Sequence, residues 1–252
     1  MKIAMTGSTG RVGGRLLPRL RDQGHDVRTL TARLADTAAV EEFVDGVDAV
    51  VHVAAALRTS TDFEAVNVHG TRTLAELSVK VPQFVHISTN LVYPNGLGRP
   101  AVETDPTGPD PAFGDYPRTK ALGEKAVLDT RAAAVLRLAF VYGESDPHLE
   151  ESLRWASTWP AHQRLHVVHH VDVAQAVGKV LGAGAEGIFN VADDSPVTAL
   201  ELHLLNGLPP GEAVQQDFDP WNGIVSTEHA QRELGFRPRY PSALSASVAG
   251  AL

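Results

Sequence analysis

The stretch Thr6-Gly7-Ser8-Thr9-Gly10-Arg11-Val12-Gly13 decides the fold of this chain. It follows a short apolar run, Lys2 to Thr6, and opens a segment of helical period, Gly10 to Gln23. A strand, a glycine-rich turn and a helix in that order form the context of a dinucleotide-binding turn. The order therefore predicts a phosphate-binding turn at the start of an α/β domain.

The three glycines of this turn are expected to have separate roles. Gly7 allows the tight turn, Gly10 lets the backbone approach a pyrophosphate, and Gly13 permits close packing of the helix. The phosphates would then lie at the helix N-terminus, where unpaired N–H groups and the helix dipole favour anions. A flexible structural turn is the alternative interpretation of the triplet taken alone.

Short runs rich in Val and Ile alternate with longer segments of helical period along the chain. The runs predicted as strands are Lys2 to Thr6, Asp26 to Leu30, Ala49 to Val53, Phe84 to Ser88, Ala134 to Ala139 and Ile188 to Val191. The segments predicted as helices are Gly10 to Gln23, Thr37 to Val44, Phe63 to Val79, Tyr116 to Thr130, Asp172 to Leu181 and Thr227 to Leu234. This alternation predicts an α/β, Rossmann-type doubly wound parallel sheet.

The domain organisation is predicted from where this alternation loosens. Residues 1–143, completed by about 169–192, form the expected dinucleotide-binding domain, and 144–168 with 193–252 form a small interleaved substrate-binding lobe. The stretch from Tyr93 to Asp115 contains five prolines and is predicted to be a loop. Loops of this length usually serve a site.

The composition excludes several classes of function. Lys and Arg total 22 against 30 Asp and Glu, a formal net charge of -8, so no nucleic-acid partner is expected. The chain has no Cys, which excludes disulfides, thiolate nucleophiles and zinc–thiolate sites. It shows neither a signal-peptide pattern nor an apolar run long enough to span a bilayer. We therefore expect a cytoplasmic protein with no membrane partner.

Further motifs, taken with the glycine turn, resemble the extended short-chain dehydrogenase/reductase family, the NAD-dependent epimerase/dehydratase group. The resemblance covers Met1 to about Gly143 and resumes in three later segments. The motifs are Val51–Ala55, Tyr116–Lys120, Leu136–Gly143, His170–Ala174, Gly187–Val191 and Leu234–Pro238. The resemblance implies an oxidoreductase or isomerase with NAD or NADP. It also implies a homodimer that pairs through the helices near Phe63–Val79 and Tyr116–Thr130.

Tyr116 and Lys120 are the candidate pair for proton transfer. They lie four residues apart, which on a helix places both side chains on one face. A tyrosine pKa near 10 is too high for easy proton exchange at neutral pH, and a nearby ammonium lowers it. The resemblance implies that Tyr116 is the general acid/base at the substrate oxygen and that Lys120 also holds the nicotinamide ribose.

Two further residues are predicted to complete the catalytic set. Thr89 follows the strand that ends at Ser88, and carboxyl ends of strands face the ligand crevice in open α/β sheets. The resemblance implies that the Thr89 hydroxyl bonds the reacting oxygen, with Ser88 as a strand-end cap. Asn67 matches a family asparagine behind the site and receives a supporting role. A buried asparagine capping a kink explains Asn67 equally well.

The cofactor site departs from the family at the adenosine end. The resemblance implies contacts from Gly7, Thr9, Gly10, Arg11, Val12, Gly13, Ala54, Ala55, Lys120 and Arg33. The carboxylates expected near Thr31 and Arg33 are absent, and the short segment after Leu30 implies a deleted helix–strand crossover. Arg33 with Arg11 favours NADP, since arginine pairs with a 2'-phosphate. Two solvated surface arginines are the alternative.

The reaction is narrowed by the residues after Thr89. Sugar 4,6-dehydratases that resemble this chain carry Asp and Glu there, whereas this chain has Asn90 and Leu91. The remaining prediction is hydride transfer at a secondary alcohol or ketone, as in an epimerase or ketoreductase, on a sugar-like, nucleotide-sugar or other small substrate. A non-catalytic NAD(P)-sensing or scaffold protein with a degenerate cofactor site is the alternative.

Four histidines raise the question of a metal site. Two of them have a helical spacing of four, but no neighbouring carboxylate or motif glutamate accompanies the set. We therefore predict no metal and place these side chains on the lobe surface or at a strand end. They are His162, His166, His169 and His170.

Overall fold

A computed structural model describes residues 1–57, 62–209 and 217–252. Its centre is a six-stranded sheet in the order β2-β1-β3-β4-β5-β9, with every pairing parallel. The strands are β1 (Lys2–Thr6), β2 (Asp26–Thr29), β3 (Ala49–His52), β4 (Gln83–Thr89), β5 (Ala134–Leu138) and β9 (Gly187–Val191). All six are the predicted strands, and the predicted fold class is confirmed.

Helices cover both faces of this sheet. They are α1 (Arg11–Asp22), α2 (Thr37–Val44), α3 (Thr71–Leu77), α4 (Asp115–Thr130), α6 (His170–Ala183) and α8 (Glu228–Leu234). Residues of α1, α6 and α8 share one apolar core with the sheet, and residues of α2, α3 and α4 share the other. Alternate strand residues supply the two cores, with Ile3 and Met5 in the first and Ala4 in the second.

The sheet lacks one crossover, as the short segment after Leu30 predicts. β2 ends at Thr29, α2 begins at Thr37, and the chain returns directly to β3 on the other side of β1. β2 is therefore the edge strand. Its outer edge pairs with no further strand of the described residues.

A second set of short elements begins at Phe140, and none of these elements was predicted from the sequence. It comprises β6 (Phe140–Tyr142), β7 (Arg164–Leu165), β8 (Val167–His169), β10 (Val197–Thr198), α5 (His148–Ala156), α7 (Ala199–Leu205) and α9 (Ala243–Val248). β6 pairs with β8 and β7 pairs with β10, and the group has an apolar core of its own. Strands of two or three residues are too short to show a period.

The predicted helix from Phe63 to Val79 contains a π-helical segment. This segment, Ala65–Gly70, runs directly into α3 and carries the candidate Asn67. Single π turns inside helices occur frequently at functional sites. The predicted loop from Tyr93 to Asp115 holds one 3-10 turn, Pro111–Phe113, before α4 begins.

No helix within the described ranges is both long enough and apolar enough to cross a membrane.

The end of β9 is joined to β6 and β8 by a buried carboxyl group. Asp193 is 1% exposed; the Tyr142 hydroxyl donates to its Oδ2 at 2.7 Å and the His169 N–H donates to its Oδ1 at 3.3 Å. Burial raises the pKa of Asp193 to about 8, helped by the charge of nearby Asp172. Near neutral pH the folded protein therefore keeps this carboxyl group protonated, whereas the unfolded chain ionises it.

This raised pKa predicts a pH-dependent effect of Asp193→Asn on stability. The folded state binds a proton on Asp193 that the unfolded chain releases. The stabilisation that this proton gives the wild type is therefore complete below pH 4 and is lost as pH rises toward 8. Asparagine has the same shape as the protonated acid and does not ionise. The free energy of unfolding of the variant, relative to that of the wild type, should therefore rise by about 1.4 kcal/mol per pH unit across that window. Urea unfolding of both proteins between pH 4 and 9 measures the difference.

Asp194→Asn is the matched control, because the Asp194 side chain is exposed and one residue away. Its free energy of unfolding should still fall as pH rises, with a slightly earlier end to the fall, because the Asp194 charge is one of the causes that raise the pKa of Asp193. A difference between Asp193→Asn and the wild type that stays constant with pH would show that Asp193 is ionised in the folded protein.

Candidate active site

The glycine turn between β1 and α1 is fixed by two close approaches of backbone to backbone. Gly7 has φ +70°, and a Cβ there would lie 2.5 Å from the Ala54 nitrogen. A Cβ on Gly13 would lie 2.0 Å from the Gly7 carbonyl oxygen. Any side chain at either position would force the backbone apart. The turn thus has the shape that its sequence predicts.

The start of α1 can receive an anion. The helix begins at Arg11, has no acidic residue in its first turn, and has no side-chain cap at Gly10. Its first N–H groups therefore have no acceptor within the helix. Thr9 is exposed and Val12 is half-buried at this helix end. The donors and the open glycine backbone fit a pyrophosphate.

The turn is tied to the segment after β3. The Thr6 hydroxyl oxygen accepts from the Val53 and Ala54 N–H groups, each at 3.2 Å. Ala54 and Ala55 are half-buried and follow the carboxyl end of β3. Ala54 therefore lies against the glycine turn, and Ala55 follows it in the chain.

Arg11 is held by acidic partners within the chain. Its guanidinium donates to Asp146 and, at 3.0 Å, to Glu151. Asp146 also receives a bond from His170 Nε2 at 2.7 Å. A positive group bonded to two carboxylates is poorly placed to recruit a third anion. Arg11 therefore joins α1 to the segment after β6, and its contact with a cofactor stays a prediction.

Arg33 lies on the exposed connection between β2 and α2. Its carbonyl oxygen accepts from the Asp36 N–H at 3.0 Å, which shapes the turn before α2. Asp36 caps that helix by accepting from the Ala39 N–H at 3.2 Å. Arg33 therefore lies exposed just beyond the carboxyl end of edge strand β2.

Tyr116 and Lys120 lie on the first turns of α4, as predicted. Tyr116 is half-buried, whereas Lys120 is 2% exposed. The Lys120 ammonium donates to the Ile87 carbonyl oxygen at 2.7 Å, which binds α4 to β4 two residues before Thr89. Burial lowers the pKa of Lys120 to about 8, and the charge of Glu124 opposes that effect.

Thr89 ends β4 and is 7% exposed. Its hydroxyl oxygen accepts from the Leu91 N–H at 3.3 Å and so caps the short 3-10 turn Asn90–Val92. The Asn90 Oδ1 lies 3.5 Å from the same hydroxyl, while Asn90 Nδ2 donates to the Gly223 carbonyl oxygen at 2.6 Å. Asn90 therefore links the Thr89 turn to the segment near Gly223.

Asn67 joins three elements around the site. Its Oδ1 accepts from the Ala56 N–H at 2.7 Å, and its Nδ2 donates to the Ala56 carbonyl and to the Thr119 hydroxyl. Gly123 packs so closely that a Cβ there would lie 2.4 Å from the Asn67 carbonyl oxygen. Asn67 thus fixes the face of α4 that carries Lys120.

A buried ion pair behind Thr89 was not found by sequence reasoning. Arg137 on β5 donates to Glu124 on α4 at 2.7 Å, and Ser88 also donates to Glu124. Both members of the pair have side chains only 3% exposed. An arginine inside an apolar strand is a signal of such a pair, but its partner cannot be identified from spacing alone.

Three of the four histidines considered for a metal are hydrogen-bonded within the chain, and the fourth, His162, is exposed beside the Phe218 ring. His166 Nε2 bonds the Asp193 carbonyl oxygen and its Nδ1 accepts from the Val225 N–H. His169 bonds the Val171 N–H and the Ala251 carbonyl oxygen. Over residues 1–57, 62–209 and 217–252, no group of three His, Asp or Glu side chains is arranged to hold a metal ion.

Comparison with known proteins agrees with this geometry. A family model described as the NAD dependent epimerase/dehydratase family matches residues 3–192. The spore coat polysaccharide biosynthesis protein SpsK of Bacillus subtilis is 30% identical, over 95% of this chain and 93% of that protein. A probable dTDP-4,6-dihydroxy-2-methyloxan-3-one 4-ketoreductase of Streptomyces antibioticus is 35% identical over 58% of this chain, and this match spans about half of that relative, 53%.

Solved structures share the fold over the whole chain. A short-chain dehydrogenase/reductase superfamily protein from Agrobacterium tumefaciens with bound NAD has a TM-score of 0.80 and 24% identity, covering 99% of this chain and 97% of that one. A dTDP-4-dehydrorhamnose reductase from Clostridium acetobutylicum has a TM-score of 0.80 and 20% identity, covering 99% of both chains. The chain belongs to the NAD dependent epimerase/dehydratase family.

Proposed function

We propose that this protein is an NAD(P)-dependent ketoreductase that acts on the keto group of a nucleotide-linked deoxysugar. The observation that carries the proposal is the placement of Tyr116 and Lys120 on α4, with the Lys120 ammonium bonded to β4 two residues before Thr89. That placement supplies a proton donor and a cation at the carboxyl end of the parallel sheet, where ligands bind in this class of fold.

The relatives support reduction over epimerisation. Several carry reductase names, including the dTDP-4-dehydrorhamnose reductase of Streptomyces griseus at 34% identity and the dTDP-4-keto-6-deoxy-D-glucose reductase of Streptomyces niveus at 29%. The Streptomyces niveus match covers 94% of this chain and 86% of that protein. We therefore take a dTDP-linked 4-keto sugar as the first substrate to test.

The proposed chemistry divides between a hydride and a proton. The nicotinamide cofactor supplies the hydride when bound. Tyr116 gives its phenolic proton to the carbonyl oxygen as that oxygen becomes an alkoxide, and Thr89 donates a hydrogen bond to the same oxygen. Lys120 favours the tyrosinate that remains, because an opposite charge nearby stabilises the ionised phenol.

Other parts of the chain receive proposed roles. Residues 144–168 and 193–252 would form the substrate lobe around the dinucleotide-binding domain of 1–143 and 169–192. A homodimer would pair through α4, where Leu122 and Leu128 are each 40% exposed. NADP over NAD is supported by Arg33 alone, since Arg11 is bonded to acids. A cytoplasmic location stays a prediction.

The proposed function predicts net oxidation of NADH or NADPH when a dTDP-4-keto-6-deoxy sugar is added. Reduction consumes one nicotinamide per sugar, so nicotinamide absorbance should fall with the 4-hydroxy product in equal amount. An epimerase would change the sugar without net loss of reduced cofactor. Binding of cofactor without any change in a panel of keto sugars would favour the sensing or scaffold protein.

Arg33→Ala refines this test. If Arg33 pairs with the 2'-phosphate, the variant should lose about ten-fold or more in kcat/KM with NADPH and little with NADH, because a charge-assisted hydrogen bond contributes about 1.5–3 kcal/mol. Arg232→Ala, an exposed arginine on α8, serves as the matched control. Equal loss with both cofactors would exclude a 2'-phosphate contact at Arg33.

A further inference from the structure

A row of polar side chains crosses the buried strands behind Lys120. Thr6, His52 and His86 are neighbours in register on β1, β3 and β4, at the carboxyl half of the sheet. His52 and His86 are both fully buried, and their ring centroids lie 5.2 Å apart. Nothing in the proposed chemistry so far uses either histidine.

Both ring nitrogens of His52 have hydrogen-bond partners. Because the Thr6 oxygen accepts from two backbone N–H groups, its own proton goes to His52 Nδ1 at 2.7 Å. His52 Nε2 then carries the ring proton and donates it to the Thr71 hydroxyl at 2.9 Å. His52 is thus a satisfied buried histidine, which holds β1, β3 and α3 together.

His86 is arranged differently. Its Nε2 lies 3.4 Å from Lys120 Nζ, and its buried Nδ1 has no hydrogen-bond partner among the described residues. An ammonium group can only donate, so Nε2 is the acceptor and the ring proton is on Nδ1. Burial, and then the charge of Lys120, hold the pKa of His86 well below its usual value and keep the ring neutral.

An unpaired N–H buried at Nδ1 is unfavourable, and a leucine at this position would avoid it. Buried polar groups without partners are rare and tend to occur where function requires them. What the imidazole adds over leucine is the lone pair on Nε2. That lone pair and the Ile87 carbonyl oxygen accept hydrogen bonds from two of the three N–H groups of the Lys120 ammonium.

On the basis of the proposed function, we propose that His86 is a positioning residue for Lys120. Its unprotonated Nε2 accepts a hydrogen bond from the ammonium and holds Nζ near the carboxyl end of β4. The third N–H of the ammonium then stays available to donate to the cofactor ribose. The other ionisable groups near Lys120 are Tyr116 and Glu124 on its own helix and His52 on β3. Glu124 is already bonded to Arg137 and Ser88.

Variants of His86 separate this role from packing. In glutamine the amide can replace Nε2, whereas in asparagine it replaces Nδ1 and cannot reach Lys120. The chain has five lysines, so ε-13C labelling gives a spectrum in which each can be followed, with Lys120→Met assigning one signal. We expect Lys120 to titrate near pH 8 in the wild type and in His86→Gln.

In His86→Leu and His86→Asn the loss of the acceptor disfavours the charged form, so Lys120 should titrate about one pH unit lower. The alkaline limb of the kcat/KM profile should move down by the same amount in these two variants and stay in place in His86→Gln. Equal Lys120 titration in His86→Gln and His86→Asn would overturn the proposal. If His86→Leu does not fold, the comparison of His86→Gln with His86→Asn still tests the proposal.

The two arms also separate the inference from the proposed function. The titration is measured on the protein alone and needs no substrate. Absence of turnover with every keto sugar would refute the ketoreductase function and leave the role of His86 to be decided by the lysine spectrum. A normal wild-type reductase with an unmoved Lys120 signal in His86→Leu and His86→Asn would refute the positioning role alone.

Discussion

Replacing Tyr116 with phenylalanine is expected to lower kcat by about a hundred- to ten-thousand-fold, the range typical of a positioned general acid. The ring and its packing at the start of α4 are kept, and only the group that exchanges a proton with the substrate oxygen is removed. KM for the cofactor and the midpoint of thermal unfolding should change little. Steady-state kinetics with the keto sugar measure the loss.

Tyr142→Phe is the matched control for removal of a buried hydroxyl. The Tyr142 hydroxyl donates to Asp193, so this variant should lose stability and keep kcat. Near-full turnover by Tyr116→Phe would show that another group protonates the substrate. Loss of cofactor binding in Tyr116→Phe would show that the hydroxyl holds the cofactor instead.

The central sheet could be predicted because each strand carries its own local signal. β1, β3 and β4 are predominantly apolar runs, and the glycine turn after β1 fixes the direction of the first crossover. The missing crossover was equally visible, since too few residues separate β2 from α2. Length, period and turn chemistry are local properties, so the sequence reveals them directly.

The contacts around the site could not be predicted in the same way. Arg11 meets Asp146 across 135 positions of sequence, and Ser88 meets Glu124 across 36. Such pairs depend on how the helices and strands pack, and residue spacing in the sequence does not predict that packing. Sequence reasoning placed Arg11 in the cofactor site because of its motif, and it could not show that Arg11 also pairs with two carboxylates.

The buried histidines show an intermediate case. His52 and His86 interrupt apolar strands at positions that pair across the sheet, a visible signal that polar groups lie inside the core. The sequence cannot say which of the two has an incomplete set of partners. That distinction depends on Thr6, Thr71 and Lys120, which reach the histidines from three other elements.

Lys120→Met should abolish most activity and increase stability at neutral pH. Methionine has a similar length and no charge to bury, whereas burial holds the pKa of Lys120 near 8, below its ordinary 10.5. The folded protein therefore binds fewer protons than the unfolded chain between pH 8 and 10.5, so wild-type stability rises with pH there. The pKa shift of Lys120 alone should make the free energy of unfolding of the methionine variant about 3 kcal/mol higher than that of the wild type below pH 8. This difference should shrink toward pH 10.5.

The loss of activity in Lys120→Met has two components. Without the ammonium, Tyr116 loses the charge that favours its ionised form, and the cofactor ribose loses a charge-assisted donor. We expect kcat to fall by a factor on the order of 100 to 1,000 and KM for the cofactor to rise by about ten-fold. A variant that gains stability while losing catalysis cannot be explained as a folding defect. An active Lys120→Met would instead make Lys120 a structural residue and remove the basis of the mechanism proposed for Tyr116.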